Sequence, residues 1–298
     1  MAGTLTAQET AERLPWPALV DEIEALLGDA SVHVPERIVM PTAHGAVLFV
    51  MPACDARVAM TKLISFTPAN VGTATPTIQG DVAVFDVASG ARRLILDGPT
   101  VTARRTAAVS ALAARRLAPN RAGPMLIVGA GVQGRAHLQA FAAALGVRRF
   151  LVASRSAASA QALVDHARTL GVQAETVLDP DAALADCPLA VTCTPASGVV
   201  LRAHPRADGF IAAVGAFTPQ MVELAPELCR HMAEVGRIVV DTRDAGHEAG
   251  DLLQAGLDVT AMPTLADVAP GASMGPVLFK SCGWAGWDLA AARLAMRG

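Results

Sequence analysis

The sequence predicts an α/β protein in two parts: an N-terminal α+β part with a mainly antiparallel sheet, and a later part built on a parallel sheet. Three observations carry this. Short β-rich runs separated by turn residues crowd residues 37–97. Beyond residue 124, apolar strand runs alternate with helix-period segments. Between the two textures lies a stretch of loop composition, Pro119-Asn120-Arg121-Ala122-Gly123.

In the first part, the spacing of Leu14, Leu19, Ile23, Leu26 and Leu27 predicts a helix over 6–28, with Thr6 and Glu9 as a capping box and Gly28 ending the run. Arg37 to Met40 and Ala46 to Met51 are strand runs joined across His44-Gly45, and Val58 to Phe66 is the next. Asp81 to Val87 and Arg92 to Leu96 flank the turn residues Ala88-Ser89-Gly90, for a sheet of five or six strands. Thr102 is the expected cap of a helix through Leu117.

In the second part, Met125 to Val128, Arg149 to Ala153, Leu189 to Cys193, Gly209 to Val214 and Arg237 to Asp241 read as strands. Arg135 to Leu145, Ala157 to Leu170 and Glu248 to Ala255 read as helices, the alternation a parallel sheet requires. The tail from Gly275 to Met296 is expected to be helical and to return to the first part. The predicted division is therefore 1–120 joined by 275–298, and 121–274.

The chain of 298 residues is 52% apolar and 17% charged, with a net charge of −3, which suits a globular protein with ample core. Mild acidity with scattered charge lacks the basic footprint of a nucleic-acid binder. Glu9, Glu12 and Arg13 precede any hydrophobic run, so no signal peptide is expected. The windows Ile38 to Cys54 and Ala182 to Leu201 are interrupted before about 18 clean apolar residues accumulate, so no membrane span is expected. Cys54, Cys187, Cys193, Cys229 and Cys282 contain no C-x-x-C pair and are expected as reduced thiols of a cytoplasmic protein. The histidines show no metal-ligand spacing, so no metal is expected. Trp284 and Trp287, three apart, are expected as core or interface anchors. There is no tyrosine, which excludes a Tyr/Lys proton relay, and there are only two lysines, Lys62 and Lys280, against 22 arginines. A lysine in such a background draws attention because arginine cannot deprotonate and presents a different geometry.

The strongest local signal is the apolar strand 125–128 entering Gly129-Ala130-Gly131-Val132-Gln133-Gly134 and leaving into a helix. Gly129 makes the tight turn, Gly131 lets a pyrophosphate approach the backbone, Gly134 permits close helix packing, and the helix N-terminus supplies donors. The pattern predicts a Rossmann-type dinucleotide site. An NAD-preferring version places an acid after the second strand, against the ribose hydroxyl, where this chain has Ala153-Ser154-Arg155-Ser156. Arg155 with its two flanking hydroxyls suits a 2′-phosphate, so NADPH is the expected cofactor, with NADH the alternative. Thr194 and Arg105 complete the expected cofactor-binding set.

The segments Lys62 to Asn70, Gly80, Asp97-Gly98, Thr102 to Ala108, Gly129 to His137, Ala213 to Ala216, Glu223-Leu224 and Phe279-Lys280-Ser281 run in order along nearly the whole chain. Together they resemble the ornithine cyclodeaminase/mu-crystallin family. The resemblance implies that Arg37, Lys62 and Arg105 bind a substrate carboxylate beside the nicotinamide, with Thr77 and Gln79 in the same pocket. It also implies a homodimer formed through the N-terminal sheet. Cations held on a rigid sheet are what a small imino acid needs to present its reacting carbon to a hydride donor.

One departure bears on the reaction. Cyclodeaminases of this family carry an Asp shortly after V-G-A, and here the segment is Val214-Gly215-Ala216-Phe217-Thr218-Pro219. Phe217 can neither accept a proton nor polarise water, so the expected base is missing. Reduction of a preformed cyclic imine needs less. The expected substrate is Δ1-pyrroline-2-carboxylate, giving L-proline, with the six-membered Δ1-piperideine-2-carboxylate second. The alternatives are an ornithine cyclodeaminase or amino-acid dehydrogenase using another base, and a non-catalytic mu-crystallin-like ligand binder. The cations are expected to face the substrate carboxylate, the ring nitrogen to face neutral groups, and Lys62 to be the one cation able to exchange a proton.

Overall fold

The computed structural model describes residues 3–70, 73–271 and 273–297; the outermost positions of the ranges predicted above, 1 and 298, lie outside them. The chain divides into two compact units, Met1–Arg105 with Trp284–Gly298, and Thr106–Gly283, so the division falls inside a helix and again just before the last one.

The first unit contains β1 (Gly3–Thr4), α1 (Ala7–Glu12), α2 (Trp16–Leu27), β2 (Ile38–Pro41), β3 (Val47–Cys54), β4 (Val58–Phe66), β5 (Ile78–Asp86), β6 (Arg92–Asp97) and the start of α3 (Gly98–Leu117). Its six strands lie in the order β1-β6-β5-β4-β3-β2, antiparallel except for β1, which runs parallel to β6. The capping box of Thr6 and Glu9 is present, but the expected single helix over 6–28 is two. Pro15 has no N–H to continue the ladder and instead sits at the N-cap of α2. Thr102 is not the cap of α3, which begins four residues earlier. Asp97 Oδ1 accepts from the Thr100 N–H, so the carboxylate outcompetes the later hydroxyl for the free first-turn donors.

Strand β4 shows how the sheet presents chemistry. Val58, Met60, Lys62 and Ile64 alternate onto its buried face, while Leu63 points outward. A lysine thus occupies a core position.

The second unit carries β7 (Met125–Val128), α4 (Val132–Leu145), β8 (Arg149–Ala153), α5 (Ala157–Thr169), β9 (Gln173–Thr176), α6 (Pro180–Leu184), β10 (Leu189–Thr192), β11 (Ser197–Leu201), β12 (Phe210–Ala213), β13 (Val222–Leu224), α7 (Pro226–Val235), β14 (Arg237–Val240), α8 (Ala245–Glu248), α9 (Gly250–Gln254) and β15 (Val277–Lys280). Seven strands form a parallel sheet ordered β14-β15-β12-β10-β7-β8-β9, and β11 pairs with β13 in a small ribbon. Strand order reverses between β7 and β10, the place where ligands bind at the carboxyl ends of such sheets.

Two expectations fail here. The helix predicted over 248–255 is the pair α8 and α9, parted at Ala249, whose ψ of 73 is not helical. The tail is not helical from Gly275: Val277 to Lys280 is strand β15, between β12 and β14. All four of its residues are buried, so the run has no periodicity to distinguish strand from helix. The helix starts later, as α10 (Ala285–Ala295), and belongs to the first unit, where it packs on α2, β3, β4 and β5. Arg293 of α10 pairs with Asp29 and Asp55, and with Glu22 near 3.8 Å, which pins the helix in place.

Candidate functional site

In the first unit three predicted residues come together. Lys62, only 2% exposed, extends from β4 to Asp288 of α10, with Nζ 2.8 Å from Oδ2. Arg105 of α3 approaches the other oxygen of the same carboxylate, Nε to Oδ1 at 3.1 Å. Thr102, one helical turn before Arg105, is 3.5 Å from the Lys62 ammonium through Oγ1. Arg37, half-buried just before β2, is near enough for its charge to act on Lys62.

The electrostatics follow from burial. Removal from water lowers the Lys62 pKa from its ordinary 10.5 to about 8; Asp288 opposes that fall, and the charges of Arg105 and Arg37 add to it. Two cations therefore share one fully buried protein carboxylate, and the charge of Arg37 acts on one of them, Lys62. The expectation of cations aimed only at a ligand omitted Asp288. The residue had a signal, because it is the sole acid in 275–298 and a buried lysine requires a counter-charge.

Thr77 and Gln79 are not joined to this cluster by any hydrogen bond among the described residues. Thr77 uses its carbonyl to accept from the Thr67 N–H at the entry to β5. Gln79 is exposed, with Nε2 3.4 Å from the Pro76 carbonyl.

The second unit holds the glycine loop, and its shape fits a dinucleotide. Gly129 has φ +117°, and a Cβ there would come within 2.7 Å of the Cys193 carbonyl oxygen. A Cβ on Gly134 would lie 2.0 Å from the Gly129 carbonyl oxygen, so only glycine lets α4 pack this closely on the turn. A Cβ on Gly131 would meet nothing within 4 Å, so the space above it is open. Gly131 is also the N-cap of the 14-residue α4 and offers no side-chain cap, so the first-turn N–H groups of Val132, Gln133 and Gly134, next to Ala130, have no capping side chain, as an anion site at a helix N-terminus requires. After β8, Ser154 is half-buried and Arg155 exposed. Ser156 caps α5 by accepting from the Ser159 N–H, which leaves its own O–H able to donate.

Beneath the ends of β10 and β12 lies a buried network of which only Thr194 has a role predicted from sequence. Glu223 accepts from the Thr192 hydroxyl, the Thr194 N–H and hydroxyl, and the Gly215 N–H. Asp251 accepts from the N–H groups of Glu223 and Leu224 and pairs with Lys280 at 2.7 Å, and Lys280 donates to the Ala216 carbonyl. Burial is the largest single influence on Lys280 and would lower its pKa, but the negative charges of Asp251, Cys282 and Glu223 together with the Asp251 hydrogen bond outweigh it and the net shift is upward; burial raises that of Glu223. Thr194 is thus held by Glu223, and Phe217, 36% exposed, follows the segment that Lys280 and Glu223 anchor. Both lysines of the chain are buried and paired with aspartate.

His137 is buried in α4, bonded through Nδ1 to the Gln133 carbonyl and through Nε2 to Ser110 Oγ; desolvation drives its pKa down to about 4, so it is neutral. Trp284 and Trp287 make an edge-to-face pair 4.9 Å apart. Among the described residues there is no group of three or more metal-ligating side chains and no helix long and apolar enough to cross a membrane.

The chain is similar to curated proteins across almost its full length. It is 38% identical over 295 residues to Delta(1)-pyrroline-2-carboxylate reductase 2 of Burkholderia ambifaria, covering 97% of this chain and 93% of that one. The same identity and coverage relate it to Delta(1)-pyrroline-2-carboxylate/Delta(1)-piperideine-2-carboxylate reductase of Azospirillum brasilense. Its fold matches that of Thermococcus litoralis Delta(1)-pyrroline-2-carboxylate reductase, solved in complex with NADH and L-proline, with a TM-score of 0.89 and 23% identity over 99% of this chain and 96% of that one. Residues 4–296 match the model of the ornithine cyclodeaminase/mu-crystallin family, and the chain belongs to that family.

Proposed function

We propose that this protein reduces a cyclic imino acid, Δ1-pyrroline-2-carboxylate to L-proline, with the six-membered Δ1-piperideine-2-carboxylate as a second substrate, at the expense of a reduced nicotinamide cofactor. The observation that carries the reading is the buried meeting of Lys62 and Arg105 on one carboxylate, with Arg37 nearby, in a family whose 38%-identical relatives are named for this reaction. Lys62, Arg105 and Arg37 bind the substrate carboxylate, and Thr77 and Gln79 border it. The nicotinamide, when bound, supplies a hydride to the imine carbon, and a proton must reach the ring nitrogen. Lys62 is the group placed to hold or give that proton, since its pKa of about 8 lets it change state near neutrality.

The first unit is the substrate-binding and dimerisation domain, and the second the dinucleotide domain. Gly129 to Gly134 and Thr194 hold the cofactor, while Ser154, Arg155 and Ser156 favour NADPH over NADH. The homodimer forms through the N-terminal sheet, whose outer strand β2 exposes Ile38, Val39 and Met40 on an unpaired edge. Free cysteines throughout suit a cytoplasmic protein.

Purified protein is to be assayed for NADPH consumption with Δ1-pyrroline-2-carboxylate and for ammonia release from L-ornithine. Imine-dependent oxidation with no ammonia is the expected result, because Phe217 stands where a deaminating base is needed. Ammonia release at a comparable rate refutes the reading.

A further inference from the structure

We infer that Asp288 is a positioning residue of the substrate site: by bridging Lys62 and Arg105 it sets the direction of both head groups and keeps Lys62 an ammonium. The inference rests on the proposed function for the word substrate, but the bridge itself is a property of the folded chain alone.

The geometry has three parts. Asp288 is fully buried and gives one oxygen to each cation, Oδ2 to Lys62 Nζ and Oδ1 to Arg105 Nε. Arg105 therefore spends its inner nitrogen on the protein, and its two Nη groups have no hydrogen-bond partner among the described residues. That end is the fork which accepts a carboxylate through two parallel bonds. Lys62 likewise spends one donor on Asp288 and a longer one on Thr102, which leaves a third for a ligand. Had Asp288 been absent, each side chain would be free to rotate about its long stem, and the carboxylate-binding edge would have no fixed direction.

The second role is charge. The ionisable groups acting on Lys62 are Asp288 from α10, Arg105 from α3 and Arg37 from the approach to β2. Two repel its proton, as does burial, and only Asp288 retains it. The pKa of about 8 is the balance of these influences. The carboxylate arrives on a helix from the opposite end of the chain, 226 positions from Lys62, so the site is complete only when α10 has docked on β3, β4 and β5.

The test exploits the two-lysine composition. Protein carrying isotope-labelled lysine gives just two side-chain NMR signals, assigned with Lys62→Met, and the Lys62 signal is titrated in wild type and in Asp288→Asn. Removing the counter-charge is expected to move the Lys62 titration down by about one to three pH units, while the Lys280 signal stays in place as the control for folding. The alkaline limb of kcat/KM for imine reduction should move down with it. A merely structural role would lower activity and leave both titrations where they were, and that outcome overturns the proposal. Should the Asn variant lose the Lys280 signal, Asp288→Glu serves instead: the retained charge should keep Lys62 titrating as in wild type, while the displaced carboxylate raises KM for the imino acid at least tenfold. An unchanged KM, or a Lys62 titration that moves down despite the retained charge, overturns the proposal. Failure of imine reduction in wild type with the Lys62 shift intact counts against the proposed substrate and leaves the bridge standing.

Discussion

Replacing Lys62 with Met removes one of three cations from a site in which the remaining partners stay in place. Met fits the core-facing position on β4 between Met60 and Ile64, so the side chain is exchanged for one of similar length that packs but carries no charge. At a separation of about 4 Å and an effective dielectric near 20, a charge pair is worth roughly 4 kcal/mol. An ammonium that is 2% exposed is little screened by salt, so most of that interaction with a substrate carboxylate is lost. Asp288 keeps Arg105, which limits the structural damage. The expected loss in kcat/KM is about 2–5 kcal/mol, or roughly 30- to several-thousand-fold. The assay is kcat/KM for imine reduction against pH, with folding checked by circular dichroism and cofactor affinity by fluorescence titration. Wild type should lose activity above about pH 8 as Lys62 gives up its proton, and the Met variant should lack that limb. The stability sign is the reverse. The folded-state pKa of about 8 lies below the ordinary 10.5, so burying the charged lysine costs stability in full below pH 8. Between 8 and 10.5 the unfolded chain binds more proton, and this contribution grows more favourable as pH rises. A Met variant within about threefold of wild type refutes the placement of the substrate carboxylate.

Three further outcomes are expected. Arg155→Ala should weaken transition-state binding with NADPH by about 1.5–3 kcal/mol and leave NADH kinetics nearly unchanged; equal effects on the two cofactors contradict the 2′-phosphate role. Gly131→Ala should melt within a few degrees of wild type yet raise KM for the cofactor, because its Cβ meets no protein atom, whereas Gly134→Ala should lower Tm markedly through a 2.0 Å clash with the Gly129 carbonyl; matching thermal scans for the two variants speak against the loop reading. Light scattering at assay concentration should give twice the 30.6 kDa chain mass, and a charged residue in place of Val39 on the β2 edge should shift it toward the monomer; a monomeric wild type removes the dimer.

Local signals carried most of the fold. Strand β4 was legible to its ends from its own alternation, the capping box of Thr6 and Glu9 from two side chains, and the turn through Gly129 to Gly134 from glycines that backbone approach demands. Each is decided within a few residues, where sequence spacing and spatial neighbourhood coincide. The break at Pro15, the competition between Asp97 and Thr102 for the α3 cap, and the buried run of β15 are ambiguous in the sequence because more than one local solution satisfies the same pattern. The cations Lys62 and Arg105 were named from sequence, but the carboxylate that joins them was not. Asp288 meets Lys62 across 226 positions and Arg105 across 183, and no periodicity extends so far. The same holds for Asp251 and Lys280 in the second unit. Propensity and patterning specify elements, while the pairing of buried charges depends on which elements the core brings together, so only the tertiary structure decided what stands opposite each lysine.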